Sequence, residues 1–161
     1  MSDTAFEELA MPLFDSLYRY ARCLADDRAE AEDLVQETYL KGLRGFESFA
    51  PGTNFRAWMF RILRNTFLTS RSGLRAVPLD DAPAIQDEAT PETQLIQRVN
   101  RESLRRAIER LPIVFREVLI LCDVENSSYK EIAETLSIPI GTVTSRLIRA
   151  RQKLRVALGE S

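Results

Sequence analysis

The chain has 161 residues, of which 45% are hydrophobic and 29% charged, with a formal net charge of −2 and no histidine. This length and apolar content suffice for one domain or two small ones, each with a hydrophobic core. Without histidine the chain lacks the commonest metal ligand, the usual general base and the usual pH switch, so no enzyme is expected and no catalytic residue, metal site or cofactor is predicted.

Targeting and redox features indicate a cytoplasmic protein. The sequence contains no signal peptide and no apolar run long enough to span a bilayer, so membrane insertion is not expected. Cys23 and Cys122 lie within apolar helical patterns and have no CxxC spacing. This placement favours reduced, buried thiols over a disulfide, a metal site or a redox sensor.

Amphipathic helical patterns occupy residues 1–75. Apolar spacing predicts one helix from Leu9 to Leu24, a second around 34–43 and a third from Asn54 to about Ser70. The acids that precede the second helix favour helix entry, because they lie at the positive end of the helix dipole. We therefore expect an all-helical N-terminal domain, with a loop over 46–53 before its third helix.

This loop and the third helix form a basic, aromatic window. No acidic residue occurs over 48–79, and arginines alternate there with aromatic residues. Cations combined with flat rings suit single-stranded nucleic acid, whose backbone is charged and whose bases are unstacked. The alternative is that the helical rings are core residues, which we favour for Phe55, Trp58 and Phe67. Phe49, in the loop, fits either role.

Residues 76–93 form an acidic segment. They carry five acids and no Lys or Arg, a charge of −5, whereas 1–75 carries −1 and 94–161 carries +4. Pro78, Pro83 and Pro91 interrupt any regular period. The composition predicts a flexible linker between two small helical domains.

The C-terminal domain, 94–161, contains a helix-turn-helix pattern. Ser128 and Glu131 match an S-x-x-E capping box, which predicts a short helix starting near Tyr129. The stretch 137–141 then breaks the pattern. Because proline is tolerated only in a first turn, the second helix should begin close to Pro139 and continue through Leu154.

All the charged residues of the second of these helices are basic. No acid occurs over 135–159, which holds five basic residues. An ordinary solvated helix mixes signs to form i,i+4 pairs, so DNA phosphates explain this helix better than an amphipathic hairpin with a solvated face. Its N-terminal half, which reaches base edges in such motifs, presents polar candidates. They are Thr142, Ser145, Arg146 and Arg149.

Three stretches in this order resemble the extracytoplasmic-function (ECF) sigma factors, a two-domain branch of the bacterial sigma-70 family. They are EDLVQETYLKGL, FESFAPGTNFRAWMFRILRNT and LPIVFREVLILCDVENSSYKEIAETLSIPIGTVTSRLIRARQKL. The resemblance covers nearly the whole chain. It implies a non-catalytic subunit that binds bacterial RNA polymerase core and selects promoters, and that is nucleoid-associated when bound to polymerase.

The resemblance implies three sets of site residues. The helix over 32–43 would dock on the clamp helices of the largest polymerase subunit through Asp33, Leu34, Gln36 and Glu37. The loop and helix over 46–66 would melt the −10 element and capture a flipped, single-stranded base with Phe49, Asn54, Arg61 and Asn65. The C-terminal domain would read the −35 duplex through Thr142, Ser145, Arg146 and Arg149.

Two positions depart from the family pattern. Ser137 stands where glycine is common, and serine ends a helix less comfortably than glycine if φ is positive there. Thr144 stands where Lys or Arg is common and removes one phosphate contact. Arg116 and Lys130 are candidates to supply DNA-backbone contacts instead.

The resemblance also implies roles for the linker and for a regulatory partner. The acidic linker would thread the positively charged polymerase channel near the RNA exit path, although its composition equally fits a simple tether. An anti-sigma factor would bind between the two domains. A stand-alone helix-turn-helix regulator and a protein-binding adaptor remain alternatives, but the net charge of −2 disfavours unaided DNA binding and an adaptor leaves the basic windows unexplained.

Overall fold

The computed structural model describes residues 2–25, 27–70 and 101–159, and within these ranges it contains helices and no strand. The expected all-helical class is confirmed. The acidic linker over 76–93 and the proposed domain borders lie outside the described residues. No described helix is both long and apolar enough to cross a bilayer.

Four helices form the N-terminal unit. They are α1 (Ser2–Ala10), α2 (Phe14–Leu24), α3 (Arg28–Gly45) and α4 (Phe55–Ser70), with 3-10 turns at Met11–Leu13 and Phe46–Ser48. The single helix predicted from Leu9 to Leu24 is wrong, because the chain breaks around Pro12. Proline lacks the N–H that a helix interior needs, so a short turn replaces the continuous helix there.

Helix α3 begins at a side-chain cap and packs closely on its neighbours. Asp27 accepts a hydrogen bond from the Glu30 backbone N–H at 2.8 Å, which satisfies an otherwise unpaired donor of the first turn. Near the other end, a Cβ at Gly42 would lie 2.9 Å from the Met59 sulfur and 3.0 Å from the Phe6 ring. The missing side chain therefore lets α3 approach α1 and α4.

The C-terminal unit contains the predicted helix-turn-helix. Its helices are α5 (Arg101–Glu109), α6 (Ile113–Leu119), α7 (Tyr129–Leu136) and α8 (Ile140–Ala157), and a π-helical turn, Ile120–Val124, extends α6. Both bonds of the capping box are present: Ser128 Oγ accepts from the Glu131 N–H at 3.0 Å, and Glu131 accepts from the Ser128 N–H at 2.8 Å. Pro139 immediately precedes α8, close to the predicted start.

The two units pack against each other through α2 and α4 on one side and α6 and α7 on the other. Their cores run together as one set of buried residues. The largest fully buried apolar and aromatic members include Tyr20, Phe60, Phe67, Leu121, Ile132, Leu147 and Leu154. Two of the predicted DNA-binding residues, Asn54 just before α4 and Arg61 within it, line the groove between α4 and α7.

Candidate nucleic-acid interface

Asn54 lies at the junction between the two units and uses both ends of its amide. Its Oδ1 accepts from the Ala57 N–H at 2.9 Å and so caps α4, while its Nδ2 donates to a carboxylate oxygen of Glu131 on α7. Because the cap fixes the side chain at the start of α4, the amide nitrogen is aimed at whatever lies opposite. In this arrangement that group is Glu131.

Phe49 belongs to an aromatic cluster at the loop before α4. Its ring centroid lies 5.1 Å from that of Trp58 and 5.2 Å from that of Phe55, and it stacks on Phe46 at 6.0 Å. The predicted core role holds for Phe67, which is buried, whereas Phe55 and Trp58 are half-buried. The cluster therefore presents partly accessible rings beside the basic window.

Arg61 and Asn65 lie one turn apart on an open face of α4. Both are exposed, and neither makes a hydrogen bond or ion pair within 2–25, 27–70 and 101–159. Arg61 also lines a groove of about 710 Å³ between α4 and α7. Asn54 and Trp58 lie on the same wall, and Lys130, Glu131 and Glu134 form the opposite wall. The groove thus combines an amide, an indole ring and a cation.

The predicted polymerase-docking residues do not all lie on one surface of α3. Asp33 and Gln36 are exposed and Glu37 is half-buried, but Leu34 is only 6% exposed and packs in the core. The exposed apolar residues near this face are instead Leu40, at 49%, and Leu43, at 37%. Leu40 follows Asp33 and Gln36 at helical spacing, a signal that separates it from the buried positions 34, 35, 38 and 42.

The predicted −35 residues on α8 differ in exposure. Thr142, Ser145 and Arg149 are half-buried; Ser145 donates to the Gly141 carbonyl at 3.1 Å, and the Arg149 guanidinium lies 5.7 Å from the Phe115 ring centroid. Arg146, by contrast, is only 8% exposed. It occurs three residues after Val143, at the spacing of the buried stripe, so the expectation of an open arginine at this position is not met here.

Other cations of the C-terminal unit have partners that local sequence does not reveal. Arg151 pairs with Asp123 of the π-helical turn at 3.0 Å, which supplies the acid that α8 itself lacks. Arg116 donates to the carbonyl oxygens of Cys23, at 2.5 Å, and Leu111, at 3.0 Å. It therefore faces the other unit rather than an open DNA surface, whereas Lys130 is exposed at the groove.

A second polar constellation joins α2, α4 and α6. Glu117 is 0% exposed and accepts from Tyr20 Oη at 2.9 Å and from Arg64 at 2.9 and 3.1 Å. Burial, together with the charge of Glu117, raises the pKa of Tyr20 well above its ordinary value. The same two causes raise the pKa of Cys23, so its thiol stays protonated and unreactive.

The second cysteine and the acidic residues give no sign of a redox or metal centre. Cys23 and Cys122 form no disulfide. Cys122 is half-buried, and its pKa is raised mainly by burial and also by the negative charge of Asp123. Among the described residues, no group of three His, Cys, Asp or Glu side chains is arranged to hold a metal ion.

Two family profiles match the chain in order. Residues 10–76 match sigma-70 region 2, and residues 101–154 match sigma-70 region 4. The first contains α2–α4 with the aromatic cluster and the groove residues of α4. The second contains α5–α7 and α8 as far as Leu154.

Curated relatives and solved structures agree with these matches. ECF RNA polymerase sigma factor SigE of Mycolicibacterium smegmatis is 36% identical over 95% of this chain, which spans 64% of that protein's length, less than two thirds. ECF RNA polymerase sigma factor EcfG of Rhodopseudomonas palustris is 36% identical over 89% of this chain and 79% of its own length. The ECF RNA polymerase sigma-E factor of Escherichia coli is 32% identical over 78% of this chain and 72% of its own length.

Two solved structures share the arrangement of helices. The sigma factor RpoE from Bartonella quintana, in complex with the anti-sigma factor NepR, superposes with a TM-score of 0.72 and 32% identity over 95% of this chain and 98% of that one. CnrH, in complex with the cytosolic domain of CnrY, superposes with a TM-score of 0.70 and 25% identity over 98% of this chain and 89% of that one. With both sigma-70 regions matched in order and relatives above 30% identity over most of their length, the chain belongs to the ECF sigma factors, a family of transcription initiation factors.

Proposed function

We propose that the chain is an alternative sigma factor that binds bacterial RNA polymerase core and directs promoter-specific initiation. In this function the loop before α4 and α4 itself melt and capture the −10 element, and α8 reads the −35 duplex. The observation that carries the proposal is the cluster on α4: a cation, amides and partly accessible rings in a stretch without acids. A stand-alone regulator of duplex DNA has no use for such a surface.

The −10 surface is suited to an unstacked base. Phe49 and Trp58 offer ring faces, and base–aromatic stacking contributes about 1–3 kcal/mol per base. Asn65 offers a donor and an acceptor to a base edge, and Arg61 a cation to the phosphate backbone. Together these gains offset the few kcal/mol that base extrusion costs. Reading and melting of the −10 element are then a single event.

The −35 reader is the N-terminal half of α8. The exposed start of the helix at Ile140 and Gly141 favours a phosphate, because the unpaired N–H groups and the helix dipole both attract negative charge. Arg149 stands just over two turns further along, with Thr142 and Ser145 between as short polar donors. Arg146 joins them only in a state that uncovers its side chain.

The docking surface for polymerase is the outer face of α3. Its carboxylates, Asp33 and Glu37, and the amide of Gln36 suit an arginine-rich partner, and Leu40 adds an apolar contact one turn beyond Gln36 and Glu37. The acidic linker would lie in a positively charged polymerase channel; this role is implied by the family resemblance, and the linker's charge of −5 suits it. None of these contacts requires a cofactor.

An anti-sigma factor is the proposed regulatory partner. The sigma factor RpoE, whose fold this chain shares across both units, was determined with the anti-sigma factor NepR. CnrH, which has the same fold, was determined with the cytosolic domain of CnrY. Purification from the native host is expected to yield a one-to-one complex with a protein that blocks transcription. Repeated purification of the chain alone would argue for control of its synthesis instead.

Run-off transcription tests the proposed function. Core polymerase from the native host, with and without the chain, is given a pool of random promoters, and the transcripts are sequenced. Start sites that depend on the chain and share two spaced upstream elements support a sigma factor. Silence of core, combined with a shift of duplex DNA by the chain alone, would favour the stand-alone regulator.

Paired variants tie that result to α4. Arg61→Ala is expected to reduce open-complex formation and transcript yield, because the cation that holds the melted strand is lost. Arg28→Ala is the matched control, since it removes an exposed arginine at the start of α3, away from the groove. Equal transcription by the two variants would exclude Arg61 from the −10 surface.

A further inference from the structure

The ring of Phe115 on α6 lies beneath two cations of α8. Its centroid is 5.7 Å from the carbon of the Arg149 guanidinium and 5.4 Å from the ammonium nitrogen of Lys153. Both distances fall within the roughly 6 Å over which the face of an aromatic ring attracts a cation. One ring therefore restrains two head groups of the helix proposed to read the −35 duplex.

Burial fixes the position of this ring. Phe115 is only 6% exposed and belongs to the core where α6 packs on α8. In a close-packed core, a ring cannot turn without displacing its neighbours. The two cations, by contrast, are accessible from solvent, since Arg149 is half-buried and Lys153 is exposed. A rigid group thus presents two accessible charges.

The spacing of the two cations favours an anion between them. Arg149 and Lys153 stand four residues apart, one turn along the same side of α8. Like charges at this spacing repel each other, and α8 contains no acid of its own. The negative face of the Phe115 ring offsets part of the repulsion, and a bound phosphate would offset more of it.

Two other basic residues of α8 are less open to a phosphate. Arg146 is 8% exposed, and Arg151 is half-buried and pairs with Asp123 at 3.0 Å. Neither guanidinium is presented as openly as the ammonium group of Lys153. The ring of Phe115 and the exposure of Lys153 therefore select a position that the sequence pattern alone does not mark.

We propose that Lys153 binds a backbone phosphate of the −35 duplex and that Phe115 positions both Lys153 and Arg149 for DNA. The inference rests on the proposed −35 role of α8. Long, flexible side chains lose rotamer freedom when DNA fixes them, and a ring that already restrains them lowers this cost. Because Phe115 is buried, it acts through the two cations and not by contact with DNA.

Phe115→Leu tests the positioning role, because it removes the ring and keeps an apolar side chain in the core. The full chain, bound to core polymerase, is titrated with a labelled duplex that carries the −35 element identified by run-off transcription. Affinity is expected to fall about two- to fivefold, the size of a cation–π contact at an exposed site. Phe115→Tyr keeps the ring face and is expected to restore the affinity of the unchanged chain.

A cycle of variants separates positioning from core packing. In the background Arg149→Ala/Lys153→Gln, Phe115→Leu is expected to weaken DNA binding no further, because the ring has no cation left to hold. Val118→Ala is the matched control, since it also opens the core of α6 but at a residue with no cation over it. Equal weakening by Phe115→Leu with and without the two cations, or by Val118→Ala, would overturn the proposal.

Lys153→Gln tests the phosphate contact without disturbing the core. Lys153 is exposed, so circular dichroism and the urea midpoint should stay unchanged. The slope of log affinity against log salt concentration is expected to become shallower by about 0.9, the value for one phosphate contact on B-DNA. Arg28→Gln removes an equal charge from the start of α3 and should keep the slope. The proposal fails if Lys153→Gln keeps it too, whether or not Phe115→Leu folds.

The unchanged chain separates this proposal from the function on which it rests. If the −35 role of α8 is wrong, the unchanged chain with core polymerase will bind the −35 duplex no better than a scrambled duplex. If it selects the −35 duplex while neither Phe115→Leu nor Lys153→Gln alters binding, the positioning role is excluded and the sigma-factor function stands.

Discussion

Ser137 is the residue that most visibly departs from its preferred backbone conformation. It ends α7 with φ 59° and ψ 47°, in the left-handed region, and its N–H bonds to the Ala133 carbonyl. An L residue with a Cβ is disfavoured there by about 1–2 kcal/mol, and glycine is not. We expect Ser137→Gly to raise the free energy of unfolding by about 0.5–1 kcal/mol, since part of the relief is offset by the greater entropy of unfolded glycine.

Urea unfolding followed by circular dichroism measures this change. Ser137→Ala is the control, because alanine keeps the Cβ and gains nothing in the left-handed region. An equal rise in stability for the alanine variant would show that the hydroxyl group, not the backbone angle, limits stability at this turn.

Arg149 is the residue best placed to test base reading by α8. If it makes a bidentate contact to a guanine, Arg149→Ala should weaken binding of the matching −35 duplex in the polymerase complex by about 1–3 kcal/mol and relax the preference at one base pair. Competition among duplexes that differ at single positions measures this. Equal loss on every duplex would make Arg149 a phosphate contact.

Tyr20 gives the fold a pH dependence on the alkaline side. Its pKa is raised well above the ordinary 10.0 by burial and by Glu117, so the folded chain holds its phenol proton where the unfolded chain releases it. This contribution to stability is fully present below pH 10.0 and is lost as the pH rises towards the folded pKa. The pKa of Cys23 is also raised, so its contribution to the free energy of unfolding likewise decreases as the pH rises above 9.0, the ordinary pKa of a thiol.

We therefore expect the free energy of unfolding to fall as the pH rises above this range, and the fall to be smaller in Tyr20→Phe, which has no phenol to titrate. Urea midpoints across the alkaline range measure it. Tyr129→Phe is the matched control because Tyr129 is exposed, and its profile should follow that of the unchanged chain. Identical profiles for the two variants would exclude Tyr20 as the cause.

At the scale of elements, α3 carries a buried leucine, Leu34, and an exposed one, Leu40, which belongs to the proposed docking surface. Leu34→Ala should lower the free energy of unfolding by about 2–5 kcal/mol, because it leaves a cavity among buried side chains. Leu40→Ala should leave stability almost unchanged and weaken binding to core polymerase. Urea unfolding and a binding titration with core measure the two effects, and a stable Leu34→Ala with lost core binding would restore the docking role first assigned to Leu34.

Elements with local signals were the ones that sequence could predict. The capping box at Ser128 and Glu131 and the break at Pro139 involve neighbours along the chain, so the boundaries of α7 and α8 follow from them closely. Pro12 was a local signal too, but apolar spacing across it suggested one helix. Leu34 was misplaced because a family motif does not mark which side of the helix is buried. Arg146 was misplaced because its charge suggested the open face, although it stands three residues after the buried Val143.

Contacts between the units were beyond sequence reasoning. Arg19 and Glu125 are 106 residues apart, and nothing in the local pattern of either pairs them. The π-helical turn contributes as well: the Glu125 N–H bonds to the Ile120 carbonyl five residues back, a geometry with no reliable sequence signature. The composition suggested two separate helical domains joined by a tether, whereas in the structure the N-terminal and C-terminal units pack against each other.

At the scale of the whole molecule, Glu117 links the stability of the two units. Its buried carboxylate joins Tyr20 of α2 and Arg64 of α4 to α6. If either unit unfolds alone, Glu117 and Arg64 therefore lose their charge partners. For this reason we expect the unchanged chain to unfold in a single transition. The one tryptophan, Trp58, lies in the N-terminal unit at the groove with α7, so its fluorescence reports on that unit and on its contact with α7, whereas far-UV circular dichroism reports on helices of both units.

Glu117→Gln should uncouple these two signals. The substitution keeps the shape of the side chain but leaves the Arg64 guanidinium buried without its countercharge, a loss of about 3–5 kcal/mol for comparable buried pairs. In urea, the Trp58 fluorescence transition and the circular dichroism transition, coincident in the unchanged chain, should separate. Glu109→Gln, which breaks an exposed pair with Arg105, should keep them coincident and change stability by less than about 1 kcal/mol. Coincident transitions in Glu117→Gln would mean that the apolar contact between α4 and α7, not the buried carboxylate, holds the two units together.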